Sequence, residues 1–360
     1  MDELLFIVNP VAGHGRSLRV FARLRAVLER VPGVRCVVWQ TRGPGHAREL
    51  AHRAALEGYG RILAVGGDGT VNETLNGLMA LSPAARDRIA FGVVPAGSGN
   101  DFARNTGIPR DPAALATLLA SGPASPMDVG VVNGHYFANV AGVGFDAEVA
   151  RQANRLPKFV PGALTYVLAA LWVLSRYRNA AVRIVLDGEV LERRVMLVAV
   201  GNGAGYGGGM RICPGARVDD GTFRVVVGGD LSKPSVLALL PKVFSGRHVE
   251  HPLVEVYDAR HVRIEAERPL AVQADGEIVA ESPISLQVVP SAIRVIGLLA
   301  RSSDATTDAH EATTRDRSAT PEPPAADTSP APGPGPVVQQ PAADARQDGR
   351  VDTGPRADIA

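Results

Sequence analysis

Apolar residues in the first 124 positions recur in two alternating rhythms. Leu4-Leu5-Phe6-Ile7-Val8 is a short unbroken run that ends in a turn carrying Gly13 and Gly15. Over Ser17 to Val31 the apolar positions become Leu18, Phe21, Leu24, Leu28 and Val31, three or four residues apart with arginines opposite, which predicts an amphipathic helix. The same exchange repeats through a strand at Arg35 to Gln40, a helix at Ala47 to Glu57, a strand at Arg61 to Val65, a helix from Val71, and a strand at Ala90 to Val94. Strand and helix in this order predict a mostly parallel sheet covered by helices.

After Asp128 the rhythm shortens to alternating runs broken by Asn133-Gly134, Asp187-Gly188-Glu189 and Asp275-Gly276-Glu277, each a hairpin signal. Strands are expected at Val129 to Val132, Tyr136 to Val140, Ala181 to Leu186, Val195 to Val200, Thr222 to Val227, Val262 to Ala266 and Leu270 to Gln273, with helices near Leu168 and Leu237. Beyond Arg301 the chain is Ala-, Pro-, Asp-, Thr- and Ser-rich without one aromatic residue, too polar to offset its ordering entropy. The predicted fold class is α/β: a doubly wound α/β domain over 1–128, then an antiparallel β-rich, sandwich-like domain over 129–300 whose last segment could return to the first, then a disordered Pro/Ala-rich tail over 301–360.

Composition narrows the function classes. A formal charge of +1 gives no broad basic field, so no nucleic-acid partner is expected. Cys36 and Cys213 stand in no metal-type spacing and read as two reduced thiols of a cytoplasmic protein. Met1-Asp2-Glu3-Leu4 carries acid where a signal peptide needs positive charge. Phe159 to Ser175 is nearly free of polar groups and is flanked by Lys158 and Arg176, but a spanning helix needs about 20 apolar residues. A core helix or an interfacial helix is expected there.

Three glycine turns each follow a strand of the first half: Asn9-Pro10-Val11-Ala12-Gly13, Gly66-Gly67-Asp68-Gly69-Thr70, and Pro95-Ala96-Gly97-Ser98-Gly99-Asn100-Asp101. A strand, a glycine turn and a helix start form a phosphate cradle, because the backbone can approach an anion and the helix N-terminus offers unpaired N–H groups. Only three of the 38 basic residues are lysines, Lys158, Lys233 and Lys242, and none follows a glycine, which excludes a Walker A loop. No Val-Ala-Ile-Lys strand of the protein-kinase type exists either. Gly203-Ala204-Gly205-Tyr206-Gly207-Gly208 satisfies G-x-G-x-x-G after a strand. Yet Met210-Arg211-Ile212-Cys213-Pro214 just beyond it is no helix, and no acidic residue stands about twenty positions on, so it is no dinucleotide fingerprint. His248 and His251 find no third partner for a metal. Asp-Gly-Glu occurs at 187–189 and at 275–277, and spacing alone reads both as turns.

The turns at Asn9 to Gly13, Gly66 to Thr70 with Asn72-Glu73 and Asn76-Gly77, and Gly97 to Arg104 together resemble the ordered motifs of the diacylglycerol kinase catalytic family, in its soluble bacterial lipid kinase branch. The likeness continues in Asn139 to Asp146, Tyr206 to Met210, Asp219-Asp220-Gly221 and Asp275-Gly276-Glu277, covering about residues 4 to 298. It implies ATP- and Mg2+-dependent phosphorylation of a lipid hydroxyl in a cleft between two domains, by a cytoplasmic enzyme that docks peripherally on the inner membrane face, and it is compatible with a homodimer. Asn9, Pro10, Val11, Ala12, Gly13, Thr41, Gly67, Asp68, Gly69, Thr70, Val71, Asn72, Glu73 and Ser98 would surround the nucleotide. Asp68, Asn100, Asp101, Arg104 and Asp128 would form the network around the catalytic Mg2+. A second, structural Mg2+ would sit at Asp220 with the carbonyls of Arg217 and Thr222. The resemblance also separates the two Asp-Gly-Glu copies, assigning Glu277 as catalytic base and Glu189 to a surface turn. Ser98 departs from the threonine of many relatives and keeps the hydroxyl. Diacylglycerol-like lipids are the expected acceptors, with sphingoid bases, phosphatidylglycerol-like lipids, NAD, or a non-catalytic lipid-binding role as the competing readings.

Overall fold

The computed structural model describes residues 2–155 and 162–298. The expected tail over 301–360 and residues 159–161 of the apolar stretch lie outside the described residues. The first half runs β1 (Asp2–Val8), α1 (Arg16–Leu28), β2 (Val34–Gln40), α2 (His46–Leu56), β3 (Arg61–Gly66), α3 (Asp68–Met79), α4 (Pro83–Arg86), β4 (Ala90–Pro95), α5 (Asp101–Thr106) and α6 (Pro112–Ser121). The strands lie parallel in the order β2-β1-β3-β4. Leu4 to Val8 and Ile62 to Val65 are wholly buried, as continuous apolar runs must be when helices cover both faces of a sheet. α1 buries Phe21, Leu24 and Leu28 as expected but stops at Leu28. The next turn bonds Val31 N to Leu28 O and reaches Gly33 at φ 84°, and Leu18, assigned to the apolar face, is exposed.

The second half runs β5 (Ala124–Val132), β6 (His135–Phe137), β7 (Val140–Gly144), α7 (Phe145–Arg155), α8 (Gly162–Arg176), β8 (Ala180–Leu186), β9 (Glu189–Val195), β10 (Leu197–Gly201), β11 (Phe223–Gly228), α9 (Lys233–Ser245), β12 (Val254–Ala259), β13 (His261–Ala266), β14 (Ala271–Ala274), β15 (Glu277–Glu281) and β16 (Ile284–Ile296). All three hairpin signals form turns with positive φ at both central residues, Asn133-Gly134, Asp187-Gly188 and Asp275-Gly276, the geometry that matches strand twist. The strand expected over Val195 to Val200 is divided. Val195 ends β9 in one sheet and Leu197 opens β10 in another, with Met196 N bonded to Gly228 O where the chain crosses.

An antiparallel sheet of order β12-β11-β10-β7-β14-β15 packs on the β8, β9 and β13 part of the first sheet. Val182, Ile184, Val262, Ile264 and Leu286 from one side meet Val198, Val200, Val225 and Val272 from the other, a sandwich core. β16 joins the halves. It runs parallel to β4 at Arg294 and Val295 and antiparallel to β5 and β13.

Candidate active site

The order β2-β1-β3-β4 has its switch point between β1 and β3, and a ligand of such a sheet sits outside the carboxyl ends of the strands there. A cavity of about 690 Å³ lies at that place, lined by the residues after β1, β2, β3 and β4. The three glycine turns converge on it. Asn9 Nδ2 donates to Thr70 Oγ1 at 2.9 Å, and Arg16 donates to Gly97 O at 3.1 Å. The turns after β3 and β4 touch backbone to backbone, since a Cβ on Gly97 would stand 2.4 Å from the Gly67 Cα. Glycine is required there by close approach. The first turn of α3 opens on this floor, with Asp68, Gly69 and Thr70 lining the cavity, and a helix N-terminus so placed favours an anion.

Two carboxylates stand at the rim. Asp68 Oδ1 accepts from the N–H groups of Asp101 (2.7 Å) and Phe102 (3.2 Å), the opening amides of α5. Asp101 accepts from Arg104 at 2.9 Å and, through both oxygens, from Gly208 N at 3.0 Å. Both Oδ2 atoms crowd the space above Gly99, where a Cβ would meet Asp68 at 2.5 Å and Asp101 at 3.2 Å. Burial, then the adjacent Asp68 charge, push the Asp101 carboxyl above its ordinary pKa, against the pull of Gly208 N–H and Arg104.

The opposite wall comes from the second sheet. Asp275 accepts from Ala138 N (2.8 Å), Asn139 N (2.9 Å), Val140 N (3.2 Å) and Asn72 Nδ2 (3.2 Å), which anchors its turn to β7 and α3 together. The anchored turn presents Glu277 to the cavity, with its Oε1 over Gly69 at the start of α3. Desolvation, then the charges of Glu73 and Asp275, raise the Glu277 pKa, the direction a general base needs.

A second cavity of about 540 Å³ adjoins the first, and Tyr206 and Gly207 line both. Its walls are almost wholly apolar, including Phe145, Val149, Met196, Leu231, Leu239 and Phe244, and they come from α7, α8, α9 and the outer face of the second sheet. The apolar stretch near Leu168 is two-faced. Ala169, Ala170, Val173 and Leu174 are buried, whereas Val167, Leu168, Leu171 and Trp172 are exposed. Arg176 lies 4.5 Å over the Trp172 ring, and Lys233 of α9 donates to Ser175 O at 2.6 Å. Among the described residues no helix is long and apolar enough to cross a membrane.

The family model of the diacylglycerol kinase catalytic domain matches residues 3–132, and that of the YegS C-terminal NAD kinase beta sandwich-like domain matches 139–297. A diacylglycerol kinase of Mycobacterium tuberculosis (strain ATCC 25618 / H37Rv) is 35% identical over 304 residues, 82% of this chain and 95% of that one. The chain belongs to the bacterial diacylglycerol kinase family. A diacylglycerol kinase of Bacillus subtilis (strain 168) is 31% identical over 77% of this chain and 90% of its own length. A probable lipid kinase YegS-like of Pseudomonas aeruginosa PAO1 is 32% identical over 82% and 94%. The crystal structure of a diacylglycerol kinase from Bacillus anthracis str. Sterne superimposes with a TM-score of 0.64 at 26% identity, covering 82% of this chain and 96% of that one.

In this lipid kinase family member the cavity gathers Asn9 to Gly13, Thr41, Gly67 to Thr70, Glu73, Ser98, Asp101 and Glu277. Other residues assigned to the nucleotide or the catalytic metal also have protein partners in the frame of the site. Val71 is buried on the core face of α3, and Asn72 is buried and bonded to Asp275 and Tyr136 O. Glu73, though lining, has its carboxylate engaged at the start of α2 by Gly45 N (2.8 Å) and Ala47 N (3.1 Å). Asn100 closes the third turn on itself, bonding Gly97 N at 2.8 Å and Gly97 O at 2.9 Å from φ 55°. Arg104 lines an adjacent hollow of about 520 Å³ with Arg217 and reaches the network through Asp101. Asp128 binds Gly221 N (2.6 Å) and Ser291 N (2.7 Å), so its direct partners are the 217–222 loop and β16 rather than Asp68 or Asp101. In that loop Asp220 is exposed and accepts from Thr222 N and Oγ1 at 3.0 Å, and Arg217 pairs with Asp219.

Arg42, Gly43, Pro44, Asn139, Tyr206, Gly207, Gly208 and Asp275 also line the cavity, although sequence gave them no place in it. The signal for half of them is present in the Asn139 to Asp146 and Tyr206 to Met210 motifs, which carry no role on their own. Among the described residues no cluster of three or more acidic, histidine or cysteine side chains could hold a metal alone. Two adjacent carboxylates fit Mg2+, which keeps several waters and binds through one or two carboxylates plus phosphate oxygens.

Proposed function

We propose that the chain transfers the γ-phosphate of ATP to the free hydroxyl of a diacylglycerol-type lipid, giving a phosphatidic acid and ADP. The juxtaposition of a polar, glycine-floored cavity and an apolar one that share Tyr206 and Gly207 carries this reading. A phosphate chain suits the first and acyl chains suit the second, which brings a lipid hydroxyl toward the shared wall and disfavours a fully polar acceptor such as NAD. Glu277 takes the hydroxyl proton as the new O–P bond forms and the bond from Pγ to the β-phosphate oxygen breaks. Backbone N–H groups of the Gly67 to Thr70 turn, Arg42 and Arg16 supply positive potential in a site without lysine, because phosphoryl transfer needs positioning and charge stabilisation. Asp68 and Asp101 would hold Mg2+, which when bound neutralises phosphate charge. Asp220, with the carbonyls of Arg217 and Thr222, would hold a second, structural ion.

The exposed face of α8, with Arg176 and Lys233 beside it, suits an anionic bilayer from which the acceptor enters. Trp172→Glu is expected to weaken sedimentation with anionic vesicles. The deciding experiment is transfer of labelled γ-phosphate, with Mg2+, to mixed micelles of diacylglycerol, sphingosine, ceramide or phosphatidylglycerol, beside NAD and beside Glu277→Gln. Label in diacylglycerol that is lost in Glu277→Gln supports the reading. Label in another lipid moves the acceptor, and label in none with intact nucleotide binding removes the enzymatic reading.

A further inference from the structure

Asp146 opens α7 under the second sheet and takes no part in the chemistry above. Its carboxylate is buried against β7, where a Cβ on Gly142 would come within 1.6 Å of Oδ2. Only glycine leaves that space. Oδ2 accepts two hydrogen bonds, from the Tyr206 hydroxyl at 3.1 Å and from Gln273 Nε2 at 3.3 Å. Each donor belongs to a different wall of the polar cavity.

Tyr206 closes a tight turn with Met210 through N–H to O bonds of 3.1 and 3.0 Å, and that turn delivers Gly208 N to both oxygens of Asp101. Gln273, wholly buried on β14, accepts from Gly276 N at 2.8 Å through Oε1. A backbone N–H can only donate, so this bond fixes the amide orientation and turns Nε2 toward Asp146. Gly276 immediately precedes Glu277. One buried oxygen therefore ties the turn that holds Asp101 to the turn that presents Glu277.

Stability alone does not account for a carboxylate here. Oδ1 makes no hydrogen bond of ordinary geometry among the described residues, and with only two neutral side-chain donors and the opening backbone N–H groups of α7 to favour its charge, a buried carboxylate still carries a desolvation cost that an apolar side chain would not. We propose that Asp146 is a positioning residue, setting the separation of Asp101 and Glu277 through Tyr206 and Gln273. The roles of Asp101 and Glu277 rest on the lipid-kinase reading, but the mechanical link does not.

The full-length protein is tested as Asp146→Ala, which removes the shared acceptor, as Tyr206→Phe and Gln273→Met, and as the pair Asp146→Ala with Gln273→Met. A displacement of about 1 Å in a reacting group costs on the order of 100-fold, so kcat is expected to fall at least about tenfold in each single variant. For Gln273→Met, which lines neither cavity, the KM for lipid should stay within about twofold. The paired variant should lose no more than the worse single one, since both cut the same link. Hydrogen–deuterium exchange should quicken in two separate peptides of Asp146→Ala, around Gly208 and around Gly276. Wild-type kcat, losses that multiply in the pair, or exchange quickened around one turn only would overturn the assignment. If Asp146→Ala does not fold, Tyr206→Phe and Gln273→Met carry the same readouts from the donor side. A wild-type chain that phosphorylates no lipid but shows the paired exchange effect would fail the functional reading and leave the link standing.

Discussion

The two Asp-Gly-Glu copies allow the same substitution to be made in two settings. Asp275→Ala removes an acceptor from four donors. Asn139 lines the cavity, where water can replace its lost partner, and the amide of Asn72 keeps Tyr136 O as acceptor. Ala138 and Val140 are at most 1% exposed, so their N–H groups are left unsatisfied in the interior. At about 1–3 kcal/mol for each such group the loss is roughly 4 kcal/mol, a large share of a typical 5–15 kcal/mol total. Asp187→Ala removes bonds of 2.9 and 2.8 Å from Arg260 N and His261 N at the surface, where water takes over and the cost is about 1 kcal/mol or less. Urea denaturation of both variants, with the slope m checked for constancy, measures the difference. Equal losses at the two turns, or no loss at Asp275, would refute the argument that burial of the donors decides the cost.

The raised pKa of Glu277 predicts the acid side of the activity profile: the base must be ionised, so kcat/KM should fall with decreasing pH at values above the ordinary glutamate range, and that limb should vanish in Glu277→Gln. Gly97→Ala would force a Cβ to 2.4 Å from the Gly67 Cα, so the turns must part; nucleotide affinity by calorimetry should drop about tenfold or more while the far-ultraviolet spectrum is kept. Burial, opposed by Gln273 and Tyr206, lifts the Asp146 pKa to about 6, above that of an unfolded aspartate, so the folded state binds the extra proton. Stability should therefore fall as pH rises from about 4 to 6, by roughly 3 kcal/mol relative to Asp146→Asn, and level off above. Parallel pH-dependence of the two proteins would contradict it.

Local pattern carried the parallel strands and the three hairpin turns, because burial on both faces writes continuous apolar runs and positive φ selects Asn-Gly and Asp-Gly. It joined β9 to β10 because Val195 to Val200 is apolar throughout, and nothing in that run marks the crossing at Met196. The convergence of the glycine turns was legible, since each follows a strand of the same parallel set. What Asn72, Asn100 and Asp128 do was not. A buried amide that braces a turn and one that meets a ligand leave the same letter in the sequence, and only the partner, often 60 or more residues away, distinguishes them. Gly207 and Gly208 belong to the failed dinucleotide pattern, yet the turn they form closes the site from the opposite side.

The placement of β16 bears on how the chain is assembled during synthesis. β1 to β4 leave the ribosome first and can pair at once, but β4 reaches its other neighbour only when a strand about 200 residues later is complete. Until then β4 is an open edge able to template pairing with another chain. Residues 3–132, although matched as a unit by the diacylglycerol kinase catalytic domain model, thus lack the strand that closes their sheet. Pairing across such a separation is entropically slow. Because Glu277 and Gly208 arrive with the same late half, the complete nucleotide cleft forms at the end of folding, and bound ATP can reward only the finished molecule.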